Sequence, residues 1–336
     1  MKSFFLITAF SFAIIFFNCS DETGELLETT YQRNFNKEII SKYLQSENPE
    51  EVKAALLSIS HSEDTSFISM LKQVDFKEHA ELICFAIGQM GKSTVSTKFL
   101  WFKIYSADFY QNSKFIFEAI GKIGTETDLE KIEEMYSNFD GPVFPYEGIS
   151  LAIRQFAFRE IRSDVSKQIL IDEATNPLTS IERKSDALFT LARTGSSPEI
   201  NETLIEILKS KIVDKQNIEL KQYALMNLRT QKYFPEDEDF VKTLLNEPNI
   251  LLQIEIAKAL CYRKVKTEEE LNVFLSLIDY NNPNISNSAA NSLRNIQIEK
   301  EELNTYLESY LLGKINSDLP PHTLGELLVS TAILFP

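Results

Sequence analysis

Glycine and proline are scarce in this chain of 336 residues, with 10 and 11 copies respectively. The residues that most often break helices therefore interrupt the sequence at few places. Long stretches also lack the alternation of apolar and polar residues that half-buried strands need, and apolar residues recur instead at helical spacing. These absences predict that the body of the chain is nearly all α-helix.

Cysteine and histidine are equally rare, with three copies of each. Cys84 and Cys261 lie inside apolar helical stretches, far apart along the chain, so we expect two buried thiols and no disulfide. His61, His79 and His322 have no cysteines or carboxylates around them at metal-ligand spacing. We interpret them as surface or turn histidines.

Catalytic motifs are also missing. The sequence has no nucleophile elbow, no phosphate-binding glycine loop and no zinc-binding histidine pair on a helix. Two glycine pairs, Gly88 with Gly91 and Gly121 with Gly124, follow no strand and are interpreted as helix ends. We therefore predict no catalytic residue, no cofactor, no metal and no enzymatic activity.

Positive charge is in short supply, because 34 Lys and Arg residues face 49 Asp and Glu residues, for a net charge of −15. A body this acidic repels phosphate backbones and anionic lipid headgroups. We predict that the protein does not bind nucleic acid.

The first residues differ in character from the rest. Lys2 is followed by an apolar run from Ser3 to Phe17, which ends at Asn18-Cys19-Ser20. This pattern is typical of a secretory signal, and the run is shorter than the roughly 20 residues of a membrane span. With Cys19 at its end it resembles a bacterial lipoprotein signal, although Asn18 replaces the usual small residue before the cysteine.

The lipoprotein resemblance implies cleavage after residue 18, acylation of Cys19 and a membrane-tethered protein in the bacterial cell envelope, periplasmic or surface-exposed. Residues 19–30 are then an acidic tether, and residues 31–336 form the folded body. The alternatives are ordinary signal cleavage nearby or an uncleaved membrane segment.

One short pattern recurs through the body: a small residue, an apolar-x-x-apolar helical stretch, then a small or polar stop. Ala55-Leu-Leu-Ser-Ile-Ser60 and Ala119-Ile-Gly-Lys-Ile-Gly124 are two copies. Successive copies are separated by about 31 to 37 residues, a period typical of helical solenoids. We call the small residues the repeat positions: Ala55, Ala86, Ala119, Ala152, Ala187, Ala224, Ala259 and Ser292.

The segments between the repeat positions predict helical hairpins. An opening helix is expected over Tyr31–Gln45, a second helix beginning at Pro49, and an outer helix over Phe67–Val74. The last helix, Leu324–Phe335, is almost entirely apolar. Either it folds back on the preceding helices or something else covers it.

The unit resembles a HEAT repeat, in which a helix, an Asp/Asn-Pro turn and a second, Arg-bearing helix with Ala at its crowded face are followed by Gly or a polar stop. Asn176-Pro177 and Asn282-Pro283 supply such turns. Val52-Lys53 only partly matches the Val-Arg pair of strong members. The resemblance covers about residues 31–300 and implies an all-α, right-handed α-solenoid (superhelix) of HEAT-like hairpins.

A narrower similarity is to the scaffold half of secreted bacterial peptidyl-prolyl isomerases, which carry HEAT repeats before a cyclophilin domain. It depends on the lipoprotein signal, Gln32-Arg33, the Ser-Glu-Asn-Pro turn and Phe85-Ala-Ile-Gly-Gln-Met-Gly91. The chain has no cyclophilin-like barrel, so the isomerase activity is not carried over.

Two aromatic segments are candidates for binding a partner. Trp101, Tyr105 and Tyr110 lie in one aromatic-rich stretch, and Phe144 and Tyr146 lie in the turn-rich segment Phe139–Gly148. Exposed Trp and Tyr dominate interface hot spots. The alternative is an outer helix tightly packed between its neighbours.

These observations favour a membrane-tethered helical scaffold that binds another protein of the cell envelope. The alternative is the non-catalytic scaffold part of a cell-envelope protein-folding factor. A lyase or glycosylase on a HEAT-like fold is a third hypothesis, which the acidic charge and the missing catalytic residues disfavour.

Overall fold

The computed structural model describes residues 23–91, 93–106, 109–210 and 214–336. In this part of the chain the fold is all-helical, which confirms the predicted class. None of its helices combines the length and the apolar character needed to cross a bilayer. The predicted signal sequence, Cys19 and residues 20–22 lie outside the described residues. Two compact units divide the chain, Met1–Ser166 and Lys167–Pro336.

The first unit begins with short helices and continues with longer ones. Its helices are α1 (Gly24–Tyr31), α2 (Lys37–Leu44), α3 (Pro49–Ser60), α4 (Ile68–Leu71), α5 (Phe76–Gln89), α6 (Thr94–Ile104), α7 (Phe109–Ile123), α8 (Glu126–Ser137) and α9 (Ile149–Phe158). Helix α10 (Asp164–Thr175) contains the boundary between the units.

The second unit repeats the alternation of helices and short turns. Its helices are α11 (Ile181–Thr194), α12 (Asn201–Lys209), α13 (Lys215–Thr230), α14 (Glu238–Leu245), α15 (Ile250–Leu260), α16 (Glu268–Ser276), α17 (Pro283–Ser292), α18 (Glu301–Ile315) and α19 (Pro321–Leu334). Two strands of two residues each, β1 (Lys264–Val265) and β2 (Gln297–Ile298), pair in parallel after α15 and α17.

Alternate helices contact each other in both units. In the first unit α3, α5, α7 and α9 form such a series, and in the second unit α11, α13, α15, α17 and α19 form another. Each of the eight repeat positions lies on one of these alternate helices and is buried. The recurring small residue therefore marks the side of each helix that packs against its neighbours.

The reason for the small residue is clearest where α7 crosses α9. A Cβ atom placed on Gly121 would lie 2.7 Å from both the Cα and the carbonyl oxygen of Ala152. Backbone atoms cannot move aside as a flexible side chain can. At this crossing the two helices therefore approach so closely that only glycine fits against alanine.

Polar side chains also link successive alternate helices. The Arg159 guanidinium donates to the carbonyl oxygens of Gly121 and Gly124, at 2.8 and 2.7 Å. In the second unit the Asn227 amide donates to the Leu188 carbonyl at 2.8 Å, and the Ser330 hydroxyl to the Ala290 carbonyl at 2.7 Å. These donors satisfy backbone oxygens of the preceding alternate helix. The oxygens of Gly121 and Gly124 lie at the carboxyl end of α7, where no intrahelical partner remains.

Several predicted boundaries are confirmed by local chemistry. Pro49 and Pro283 occupy the first turns of α3 and α17, each after an Asn whose side chain caps the helix. Proline fits there because the first N–H groups of a helix have no intrahelical acceptor. Gly91 has a φ of 78°, the left-handed conformation expected after α5.

The N-terminal boundary differs from the prediction. Residues 24–30 of the expected tether belong to helix α1, in which Leu26 is fully buried and the Thr30 hydroxyl contacts that of Ser58 at 2.6 Å. The expected single helix over Tyr31–Gln45 is instead interrupted around Arg33, whose φ is 53°. A single buried leucine in a polar segment was too weak a signal for a helix.

Three further details depart from the sequence patterns. The expected helix over Phe67–Val74 is a 3₁₀ turn (Thr65–Phe67) followed by the four residues of α4. The short strands β1 and β2 were not expected. The last helix, α19, packs on α17 and α18, so it folds back on its neighbours, yet Leu328, Val329 and Ile333 remain exposed.

The close crossing of α7 and α9 predicts a large effect of one methyl group. Gly121→Ala should lower the free energy of unfolding by about 1–3 kcal/mol, because the new Cβ overlaps the backbone of Ala152. The matched control is Gly313→Ala in α18, where an added Cβ meets nothing within 4 Å. There, higher helix propensity should stabilise by up to about 1 kcal/mol. Urea unfolding followed by circular dichroism measures both; equal effects would contradict the close crossing.

Candidate functional site

Apolar side chains are exposed on the alternate helices of the first unit. Leu57 on α3 is 38% exposed and Phe85 on α5 is 40% exposed. With Phe115 on α7 they line a cleft of about 370 Å³. Its lining is Leu57, Glu81, Leu82, Cys84, Phe85, Phe115, Glu118, Ala119 and Lys122. We call this cleft the α3–α5–α7 cleft.

The position of these side chains follows from the repeat pattern. Successive residues of a helix are rotated by about 100°. Leu57, two residues after the buried Ala55, therefore points away from the packed side, and Phe85, beside Ala86, points obliquely out of it. Because these helices contact each other in series, their outward residues adjoin and form one surface.

The rim of the cleft is charged but nearly balanced. The Lys122 ammonium lies 2.9 Å from the Glu118 carboxylate and 5.7 Å from the centre of the Phe85 ring. Glu81 adds a second carboxylate. Burial raises the pKa of the Cys84 thiol far above its ordinary value, so it stays protonated and contributes apolar surface rather than a nucleophile.

Charged side chains pair on the alternate helices of the second unit. Glu255 on α15 pairs with Arg229 at 3.2 Å and with Lys258 at 2.7 Å. Glu326 on α19 pairs with Arg294 and accepts a hydrogen bond from Asn291 at 2.7 Å. The alternate helices of the second unit also carry half-buried aromatic residues beside these charged pairs, such as Phe189 and Tyr223, whose ring centres are 5.1 Å apart.

The structure buries Trp101, the first of the predicted partner-binding residues. It is 8% exposed, and its indole Nε1 donates to the Asp128 carboxylate at 2.8 Å. The same carboxylate accepts hydrogen bonds from the Thr125 backbone N–H and hydroxyl, at 2.9 and 3.0 Å, and caps α8. Trp101 thus has the packed position given as the alternative for this segment.

Tyr105 and Tyr110 are exposed, at 80% and 61%. Tyr110 stacks on Tyr146, with ring centres 5.1 Å apart. Burial, and then the neighbouring Tyr110 and Tyr105 hydroxyls, raise the pKa of Tyr146 above its ordinary value. The structure therefore brings together tyrosines that are more than 35 residues apart in the sequence.

Phe144 is buried at the centre of a second aromatic group. Its ring lies 5.1 Å from that of Tyr146, 4.9 Å from that of Tyr136 and 5.5 Å from that of Phe139. The segment is held against α7 where Gly148, with a φ of 89°, approaches the Lys114 backbone so closely that a Cβ would lie 2.5 Å from its Cα. Phe144 therefore holds the segment in place. Among the predicted partner-binding residues, all of them described, Tyr105 and Tyr110 are the exposed ones, and Tyr110 already contacts Tyr146.

Among the residues that the structure describes, histidines and carboxylates form no metal site. His61 and His322 are exposed, and His79 lies at a kink in α5. Throughout the described ranges, no group of three or more His, Cys, Asp or Glu side chains is arranged to hold a metal ion.

No family model matches this chain, and no curated protein matches its sequence.

The sequence patterns did not single out Leu57, Phe85 and Phe115. Each was an apolar residue inside an apolar helical stretch, where burial is the ordinary expectation. The available signal for Leu57 and Phe85 was their place one or two residues from a repeat position, because the rotation of about 100° per residue turns them away from the packed side. The pattern shows this only after the packed side is known.

The Trp101 contact predicts a structural role for Asp128. Asp128→Ala removes the cap of α8 and leaves the buried indole N–H without an acceptor, so we expect a loss of about 2–4 kcal/mol in the free energy of unfolding. Glu130→Ala, at an exposed site on the same helix, should change it by no more than about 0.5 kcal/mol. Urea unfolding can be followed by fluorescence of Trp101, the single tryptophan. Equal losses would rule out this role.

Proposed function

We propose that this protein binds another protein of the cell envelope through the α3–α5–α7 cleft and has no catalytic activity of its own. The observation that carries the proposal is the cleft itself, with two exposed apolar side chains and a half-buried phenylalanine above a floor of buried residues. Interfaces combine such an apolar centre with a polar rim. Glu81, Glu118 and Lys122 provide the rim.

The helical series is proposed to be a right-handed α-solenoid of HEAT-like hairpins. Three features support this: the spacing of the repeat positions, their burial on alternate helices, and the hydrogen bonds from one alternate helix to the next. Arg159 is the residue most like the linking arginine of that family, because its guanidinium reaches the end of the preceding alternate helix. Stacked hairpins make extended binding surfaces.

Membrane attachment is proposed to come from acylation of Cys19. The support is the charged start, the apolar run and the cysteine at its end. Two or more acyl chains hold a protein firmly at a membrane, whereas one does so only marginally. The folded body would then face a partner that is confined to the same envelope compartment.

The cleft is tested by affinity capture from cell-envelope extracts with the full chain. Leu57→Ser combined with Phe85→Ser removes the exposed apolar contacts and should weaken capture of the partner at least about tenfold. Leu178→Ser is the matched control, because Leu178 is an exposed leucine in the turn before α11. Circular dichroism establishes that each variant is folded.

Capture that is unchanged in the double variant, or lost equally in the control, would refute the cleft as the binding site. The identity of the captured protein decides between the two hypotheses. A structural or transport component supports a scaffold in its own right. A peptidyl-prolyl isomerase or another folding enzyme supports the scaffold of a folding factor.

The lipid attachment has its own test. Cells grown with labelled palmitate should label the wild-type protein, and Cys19→Ser should abolish the label, because its thiol is the proposed acylation site. The control Cys261→Ser should leave the label unchanged, since that thiol is buried. Label that persists in Cys19→Ser would contradict acylation at this residue.

A further inference from the structure

The outward side of α6 carries an unusual stripe of exposed side chains. Val95, Lys98, Phe102 and Tyr105 are spaced by three or four residues, so they lie on one face of the helix. Phe102 is 69% exposed and Val95 is 54% exposed. These exposed apolar side chains are not part of the α3–α5–α7 cleft.

Lysines surround the stripe. Lys72, Lys98 and Lys103 line a cleft of about 410 Å³ with Val95, Phe99 and Phe102. The Lys103 ammonium lies 4.5 Å from the centre of the Phe76 ring, and the Lys72 ammonium lies 6.0 Å from that of Phe99. The apolar stems of these lysines thus cover aromatic rings while their charged ends remain at the surface.

A second cleft, of about 320 Å³, continues the cationic surface toward α8. It is lined by Lys98 and Lys131, by the hydroxyls of Ser93, Thr94, Thr97, Thr125 and Thr127, and by Trp101, Ile123 and Asp128. Asp128 is the one carboxylate lining either cleft among the described residues, and the hydrogen bonds from Trp101 and Thr125 already occupy it.

These lysines are not neutralised within the described ranges. Lys72, Lys98, Lys103 and Lys131 form no ion pair there, whereas Lys122 in the same unit does. Uncompensated positive charge stands out in a chain with a net charge of −15. We call this surface, with the apolar stripe and the four lysines, the α6 patch.

We propose that the α6 patch docks on the surface of an anionic phospholipid bilayer. Lysines near such a surface are each attracted to anionic headgroups, and exposed Phe, Tyr and Val side chains bury apolar area at the boundary with the acyl chains. The charge of the patch is complementary to the lipid, and its apolar side chains supply the second component of interfacial binding.

The shape of the patch favours a bilayer over an acidic protein. Phe102 lines the open cleft of about 410 Å³ but is 69% exposed, and Tyr105, 80% exposed, projects from the same helix face outside that cleft. A fluid lipid interface accommodates projecting side chains without a matched surface, whereas a protein partner needs shape complementarity.

The proposed acylation of Cys19 strengthens this inference, because the orientation of the docked protein rests on that tether. Helix α1 begins at Gly24, five residues after Cys19. Five residues span at most about 18 Å in any conformation. The first unit, which contains α6, would therefore be held close to the bilayer, and docking of the α6 patch would fix which side faces the lipid.

A fluorescent probe on the patch tests the proposal. In the full-length, lipid-modified chain, Tyr105→Cys is labelled with an environment-sensitive dye, which the buried thiols of Cys84 and Cys261 do not take up. The protein is placed on vesicles of phosphatidylcholine, with or without phosphatidylglycerol. Leu178→Cys, an exposed position in the second unit, carries the control probe.

We expect the probe at position 105 to shift to shorter wavelength on phosphatidylglycerol vesicles alone, and the probe at position 178 to stay unchanged. About 1 M salt should reverse the shift, because it shortens the Debye length to about 3 Å. Lys72→Gln with Lys98→Gln and Lys103→Gln should lower the docking constant about 100-fold. The salt result stands even if that triple variant fails to fold.

Three results would overturn the proposal: no shift on phosphatidylglycerol, an equal shift on pure phosphatidylcholine, or the same shift with polyglutamate in the absence of vesicles, which would indicate an acidic protein partner. The tether is judged separately. Retention on phosphatidylcholine vesicles reports acylation. If the protein is retained but the probe does not shift, the docking proposal is refuted and the proposed acylation stands. If the protein is not retained, a Cys19→Ser chain mixed with phosphatidylglycerol vesicles still tests the patch.

Discussion

The close approach of alternate helices is the constraint on which the rest of the structure depends. Where α7 crosses α9, Gly121 and Ala152 leave no room for another methyl group, and a small residue is buried at the repeat position of each of the eight alternate helices from α3 to α17. Such contacts set the side of each helix that packs. The residues of each helix that are not used in this packing face solvent, and they include the exposed residues of the α3–α5–α7 cleft and of the α6 patch.

This constraint gives each unit one surface made by the alternate helices and another made by the intervening helices. In the first unit the alternate helices present Leu57 and Phe85 to solvent, and the intervening helix α6 presents Phe102 among lysines. The two surfaces use different chemistry, apolar with a balanced rim in one case and cationic with projecting aromatic side chains in the other. A protein partner and a lipid surface therefore need not compete.

The sequence predicted the helices well because they depend on local patterns. The repeat positions are buried on alternate helices, and Pro49, Pro283 and Gly91 mark helix ends for reasons that a single turn decides. Helix α1 escaped prediction because it is held by the burial of Leu26 and by the contact of Thr30 with Ser58 of α3, which no local pattern shows.

The candidate sites were predicted less well, because exposure depends on contacts distant in sequence. Trp101 is buried through a hydrogen bond to Asp128, 27 residues away, and Phe144 through rings on both sides of its loop. Conversely, Phe85 and Phe102 lie in apolar stretches that predict burial, yet each points away from the packed side. Composition identified the aromatic residues but not the direction in which each one points.

Photochemical crosslinking in living cells tests the central claim, that the α3–α5–α7 cleft holds a protein partner, most directly. A photoreactive amino acid is introduced at position 57, 85 or 178 of the full chain, and crosslinked products are compared. The account predicts one shared product from positions 57 and 85 and its absence from position 178. A product that is common to all three positions, or none from either cleft position, would contradict it.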